Sequence, residues 1–157
     1  KWYETQDQIA YYQEFEKEKV VWTPVNSEYS FAIIPSGIYF LNSVFMITGS
    51  EIKLFCALFN STLIRYYLIV LFSSEEEYTY ASKQNMEKIP IPRITSFDSP
   101  IIKQIEELVD KIILAKKQNL AADTAHWEQE IDNLVYNLYG LTDEDIKIIK
   151  NSTKKSD

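Results

Sequence analysis

The sequence predicts an α+β protein: a mixed α/β unit over residues 1–98, then an antiparallel helical arm over residues 99–157. Three observations predict it. Short β-branched and aromatic runs bounded by Pro, Gly and Asn fill the first half. From Ser99 onward, apolar residues recur instead at spacings of three and four. Between the two lies Ile89-Pro90-Ile91-Pro92, which fits neither a helix interior nor a central strand, because neither proline can donate a backbone hydrogen bond.

The elements follow in order. Residues 5–15 carry Ile9, Tyr12 and Phe15 at helical spacing and predict a helix. Residues 19–23 are β-branched and aromatic and predict a strand. Residues 31–34 and 37–48 predict two or three more, punctuated by Pro35-Ser36-Gly37 and Asn42-Ser43. Residues 51–71 read as one helix, with Leu54, Ala57, Leu58, Leu63 and Leu68 filling much of its circumference. Residues 75–80 are an acidic, aromatic loop or edge. Each proline of the 89–92 segment pushes the isoleucine before it into extended geometry. Alternation then sets Ile89 and Ile91 on one side, where they plug the preceding fold.

In the arm, Ser99-Pro100 reads as a helix start, a capping hydroxyl followed by proline at the first helical position. Ile101, Ile105, Leu108 and Ile112 form a heptad seam, widened by Ile102, Val109 and Ile113. A second helix opens near Asp123 or Thr124, carries Trp127, Ile131, Leu134 and Leu138, and ends at Gly140. Thr142 and Asp145 are spaced as a capping box for a short last helix.

Composition limits what the chain can be. With 157 residues, 46% hydrophobic and 14% aromatic, it can bury a sizeable core, and three glycines and five prolines are too few for a disordered chain. It opens on Lys1 rather than Met, mid-pattern with Trp2 and Tyr3, and so reads as a piece of a longer protein. One cysteine and one histidine leave no internal disulfide framework and no zinc cluster, which makes the cytoplasm the plain reading. The apolar run 55–72 is interrupted by Asn60, Ser61, Thr62 and Arg65, so it predicts a buried helix rather than a membrane span. The net charge of −7 counts against a strongly basic nucleic-acid surface. The charge is unevenly spread, however: Lys83, Lys88 and Arg93 face only Glu87 between positions 83 and 93, while acids gather at 75–77 and in the last third.

No catalytic cluster or metal site is visible. The sequence has no glycine-rich phosphate loop, no Gly-x-Ser-x-Gly elbow and no His-Glu-x-x-His. His126 beside Trp127 reads as a surface or packing residue, and Cys56 as a small buried hydrophobe. Glu75, Glu76 and Glu77 read as a solvated loop, and Glu128, Glu130 and Asp132 as the wet face of a helix. The aromatics are more informative. Tyr11-Tyr12 and Tyr66-Tyr67 are adjacent on predicted helices, so one of each pair points away from the core.

Several segments, in order, resemble the C-terminal specificity domain of TaqI-like adenine-specific DNA methyltransferases, often part of single-chain restriction-modification enzymes. Trp2-Tyr3-Glu4 and Tyr11-Tyr12 lead into Lys17, Lys19 and Trp22, similar to the family's Lys-Pro-Lys strand entry, with Glu18 in place of the proline. Tyr39 to Asn42, the Asn60-Ser61 at a helix end and Ile89-Pro90-Ile91-Pro92 resemble three further family segments. The run from Glu130 through Tyr136 and Gly140 to Thr142 resembles the family's helical tail.

The resemblance implies a target-recognition domain that reads base edges in double-stranded DNA. An upstream methyltransferase domain of the same chain would flip the adenine. This sequence lacks the Asn-Pro-Pro-Tyr-type motif and the cofactor glycine motif. The resemblance therefore puts S-adenosylmethionine and catalysis in the upstream domain, with no cofactor here. Lys17, Lys19, Lys83 and Arg93 are the expected phosphate contacts, and Asn26, Asn42, Gln84 and Asn85 the expected base contacts, since amides bond bidentately to adenine. Two other readings stand beside it: an assembly domain docking another subunit through its heptad-like helices, and half of a two-module specificity subunit.

Overall fold

The computed structural model describes residues 11–26, 30–40, 43–72 and 79–153. Its architecture is α+β, as expected. The first described element is a 3-10 helix, Tyr12–Glu16, rather than an α-helix; the rest of the helix expected over 5–15 lies outside the described residues. Phe15 is its one buried residue, and both Tyr11 and Tyr12 are exposed, where only one of the pair was expected to be.

Strand β1 (Lys19–Trp22) is central in a three-stranded antiparallel sheet, flanked by β3 (Ala32–Ile34) and β4 (Phe45–Thr48). Val20 stands opposite Ile33 on one side and Ile47 on the other. Alternation puts Val20 and Trp22 on one face, where both are buried with Phe31, Phe59, Ile64 and Leu68. Among the described residues between 37 and 48, only Phe45–Thr48 is a strand. A turn at Gly37, which needs its φ of +76°, separates β3 from it. A second small ladder pairs β2 (Val25–Asn26) with β5 (Thr79–Tyr80), and the Ala81 N–H extends it by donating to the Pro24 carbonyl at 2.8 Å.

The single helix expected over 51–71 is two: α1 (Ile52–Asn60) and α2 (Thr62–Phe72), bent by 59° at Ser61. Side chains at the break explain it. Ser61 is extended, its hydroxyl donating to the Leu58 carbonyl at 2.6 Å and accepting the Ile64 N–H at 3.3 Å. These bonds end one helix and cap the next. Asn60 turns to Phe31, the residue before β3: its amide donates to the Phe31 carbonyl at 2.8 Å and its oxygen accepts the Phe31 N–H at 3.0 Å. The Cys56 thiol also reaches the Phe31 carbonyl, at 3.5 Å. Side chains of α1 thus satisfy the backbone of the residue that leads into the edge strand β3. Among the described residues, no single helix is long and apolar enough to cross a membrane.

The arm folds back on this unit. A capping box between Thr95 and Asp98 closes a short 3-10 turn, and α4 (Ser99–Gln118) continues from it. The expected start signal is therefore displaced: Asp98, not the Ser99 hydroxyl, stands at the cap position, while the proline sits in the first turn as expected. Helix α5 (Ala125–Leu138) returns along α4 and stops at Gly140, whose φ is +64°. Helix α6 (Asp143–Thr153) opens on the Thr142–Asp145 box and lies against α2. Ile105, Leu108 and Val109 of α4 and Ile131 and Val135 of α5 share one core with Leu54, Ala57 and Leu58 of α1. Each leucine, isoleucine and valine among them contributes about 1.5–3 kcal/mol by leaving water. The heptad seam is spent inside the chain.

Polar bonds fix the arm's position. Asp132 of α5 accepts the Thr62 N–H at 2.8 Å and the Thr62 hydroxyl, so an arm carboxylate caps α2. Lys53 of α1 pairs with Asp110 of α4 at 2.7 Å. The proline segment is held from both sides: Tyr67 of α2 donates to the Lys88 carbonyl at 2.9 Å, and Tyr139 to the Pro90 carbonyl at 2.8 Å. Ile89 is buried in the sheet-side core, but Ile91 is 40% exposed, so only the first of the two isoleucines plugs the fold.

Asn60→Ala leaves the Phe31 N–H and C=O without these partners and should cost about 1–3 kcal/mol, read as a lower urea midpoint. An unchanged midpoint would show that the Asn60 bonds contribute nothing net. Asp132 tests the junction through pH. Burial, the largest influence, raises its carboxyl above the ordinary 3.8, against the lowering effect of the Thr62 bonds. The folded state therefore holds that proton more tightly. The stability it gives is full below pH 3.8 and is lost as pH rises through the folded value. Asp132→Asn keeps an acceptor without the charge, so the variant should gain stability relative to the parent across that window. A difference that stays flat with pH would count against a buried charge there.

Candidate nucleic-acid interface

The expected contact residues divide between two ends of the sheet. At the Trp22 end of β1, the indole N–H donates to the Ala81 carbonyl at 2.8 Å and fixes the chain just before Ser82. Ser82 then caps a one-turn helix, α3 (Lys83–Met86), its hydroxyl accepting the Asn85 N–H at 3.3 Å. Met86 is buried and anchors the turn, which leaves Lys83 and Gln84 exposed and Asn85 half-buried. Lys83 has only a loose ion pair with Glu87, at 3.8 Å with both side chains well exposed. Such a pair is weak and exchanges readily for a phosphate. The backbone of Asn26 belongs to the same corner, because β2 pairs with β5 immediately before this turn. Arg93 lies exposed on the extended segment that follows, one residue past Pro92.

The other end is different. Lys17 is bonded to Glu14 at 2.7 Å, and Glu14 also accepts from the Thr48 hydroxyl. The Lys17 ammonium first, then Thr48, hold the Glu14 carboxyl below its ordinary value. Tyr39 stacks on Phe15 at 4.9 Å and donates to Glu16, which raises its own phenol above the usual range. This end carries carboxylates and aromatics and holds its lysine in a local pair. β1 spans about 10 Å between the two ends.

Lys19 corrects an expectation. It is 0% exposed, with its ammonium donating to the Pro35 carbonyl at 3.1 Å, so it serves the turn after β3 and is removed from the phosphate contacts. It is the first residue of the central strand, opposite Ile34 of β3 and Thr48 of β4. Asn42 lies outside the described residues.

Two contributors were missed. Ser82 positions the turn, and the spacing from Ser82 to Asn85 was its available signal. Lys88 is exposed beside Lys83 and Arg93, and the local charge count already contained it. His126 is exposed and packs against Trp127 at 4.3 Å. Cys56 sits among Phe31, Ile33 and Asn60, where burial pushes its thiol up to about 11, the ordinary state of an inert, buried cysteine. No group of three or more potential metal ligands occurs among the described residues.

A short antiparallel sheet backed by a bent helix pair, with a capped turn presenting Lys83 and Gln84 at one corner, defines an α+β module. The chain belongs to the TaqI-like C-terminal specificity domains, whose family model matches residues 1–91. That match ends inside the proline segment, with the arm beyond it. No curated protein matches the chain.

Ser82→Ala should loosen the corner without unfolding the protein. Loss of the cap costs about 1 kcal/mol locally, so the Asn85 amide should exchange with solvent about fivefold faster. An unchanged rate would mean that the Ser82 hydroxyl does not hold the turn.

Proposed function

We propose that the chain is the DNA-reading module of an adenine-specific DNA methyltransferase in a restriction-modification system. The observation that carries this reading is the corner formed by β2, β5 and α3. There a member of the specificity-domain family exposes the Lys83 cation and the Gln84 amide, with Asn85 half-buried beside them, on a turn fixed by Trp22, Ser82 and Met86. A rigid turn of this size can enter the major groove, where Gln84 and Asn85 bond the adenine edge. Lys83 and Arg93 bond phosphates and set the register. Lys17, paired with Glu14 at the far end of the sheet, serves at most as a peripheral phosphate contact.

The catalytic groups and S-adenosylmethionine belong to a preceding methyltransferase domain that presents the flipped adenine. The enzyme acts in the cytoplasm. An overall charge of −7 supports this division, because a module this acidic supplies few phosphate contacts by itself. The rival in which the heptad seam docks another subunit is disfavoured, because Ile105, Leu108 and Ile131 of that seam are buried against α1 of the same chain.

In the parent enzyme, Lys83→Ala or Arg93→Ala should weaken binding on all sequences and reduce the salt slope by about one. An unchanged slope would take the residue out of the interface. Gln84→Ala or Asn85→Ala should instead relax recognition at one base pair, by about 1–3 kcal/mol. Full retention of the recognised sequence in both variants would defeat the assignment of the corner.

A further inference from the structure

Pro90 and Pro92 have no N–H to donate, and among the described residues no strand pairs with the stretch from Ile91 to Ile94. Whatever aims that stretch acts through its carbonyls or its side chains. Upstream, the path is closed locally. The Lys88 N–H donates to the Asn85 carbonyl at 3.1 Å and the Ile89 N–H to the Met86 carbonyl at 3.2 Å, so the α3 turn runs on to buried Ile89. Tyr67 then donates to the Lys88 carbonyl at 2.9 Å. Downstream, the bond comes from the arm: the Tyr139 hydroxyl donates to the Pro90 carbonyl at 2.8 Å.

Tyr139 is built to hold that carbonyl still. It stands at the end of α5, its own N–H donating to the Val135 carbonyl at 3.0 Å, and its half-buried ring packs against both cores. Burial pushes the phenol up to about 12, so it stays a donor. From the held carbonyl to Arg93 the chain has little freedom. Pro92 fixes its own φ and keeps Ile91 before it extended. Three residues in this form carry the position of Pro90 about 10 Å along to Arg93. Arg93 is exposed, so its side chain has no packed surround to place it.

We propose that Tyr139 is a positioning residue for DNA binding: through the Pro90 carbonyl and the proline strap it sets where Arg93 meets a phosphate. This role rests on the reading of Arg93 as a phosphate contact. It brings the arm into DNA recognition although the arm lies beyond the family match, which ends at residue 91. Tyr139 itself touches no DNA; it acts on the register that phosphate contacts set. The effect is selective. Tyr67 and the α3 turn fix the strap upstream, so loss of the Tyr139 bond releases Arg93 and leaves Lys83 in place. It costs little stability, because Pro90 is exposed and water can bond its carbonyl instead.

A double-mutant cycle in the parent enzyme tests the proposal, with affinity read on a labelled DNA duplex of arbitrary sequence, since phosphate contacts are sequence-independent. Tyr139→Phe keeps the ring and removes the hydroxyl. It should weaken binding about two- to tenfold with the thermal midpoint retained. In an Arg93→Ala background the same change should have no further effect, whereas in a Lys83→Ala background it should keep its full effect. Pro92→Ala frees the strap between the anchor and Arg93, and should repeat that pattern with Tyr139 intact. Parent-like affinity of Tyr139→Phe, or a loss that simply adds to that of Arg93→Ala, overturns the proposal. Equal coupling to Lys83→Ala overturns it too, as the mark of a general loosening. If Arg93→Ala itself leaves affinity and salt slope unchanged, the phosphate assignment fails and the positioning role with it. If Arg93→Ala weakens binding while Tyr139→Phe and Pro92→Ala are silent, the positioning role alone falls.

Discussion

The break between α1 and α2 is the constraint on which the rest of the structure depends. Three consecutive side chains at that break face three different elements. Asn60 bonds both backbone groups of Phe31 and so ties down the edge of the sheet. Ser61 ends α1 and starts α2 within its own turn. Thr62 receives Asp132 from the arm. Were the two helices one continuous rod, α1 and α2 could not cover both the sheet and the arm. The bend lets Phe59, Ile64 and Leu68 face the sheet, while Leu54, Ala57 and Leu58 face α4 and α5. The molecule accordingly has two adjoining cores with the broken helix between them.

This arrangement explains how the arm is attached. Its apolar seam is buried against α1, Lys53 and Asp110 bridge the same contact, and Asp132 reaches the start of α2. The proline segment is then a short strap across the junction. Its prolines cannot donate backbone bonds, and two of its carbonyls are taken by phenols, one from each side of the junction. Tyr139, at the end of α5, thereby connects the arm to the stretch that follows the α3 corner. Stiffness in the strap comes from fixed φ angles and buried Ile89, with no ladder hydrogen bond needed.

The electrostatics differ between the two ends of the sheet. Carboxylates at the Lys19 end of the sheet are consumed locally by Lys17, Thr48 and Tyr39, while the α3 turn holds its cation in a loose pair only. Glu87 faces that cation at 3.8 Å with both side chains exposed, while exposed charges more than about 10 Å away are largely screened at ordinary salt.

What the sequence by itself determined was local. The strand at Lys19, the left-handed helix stop at Gly140, the box from Thr142 to Asp145 and the change of period at Ser99 all rest on interactions among near neighbours, which a linear reading contains. The family was legible for the same reason, since short ordered segments carry it. The tertiary structure decided everything that depends on distant partners. Lys19 read as a surface cation because its neighbours along the chain are charged, whereas the fold buries it and gives its ammonium to the Pro35 carbonyl. The helix expected across Ser61 breaks because Asn60 finds Phe31, 29 residues away, and Thr62 finds Asp132, 70 away. Asp132 looked like one more solvated carboxylate on a helix face, and only the return of α5 against α2 buries it and makes it a cap. Long-range pairing chooses among locally equivalent side chains, and the sequence does not record that choice until the chain has closed on itself.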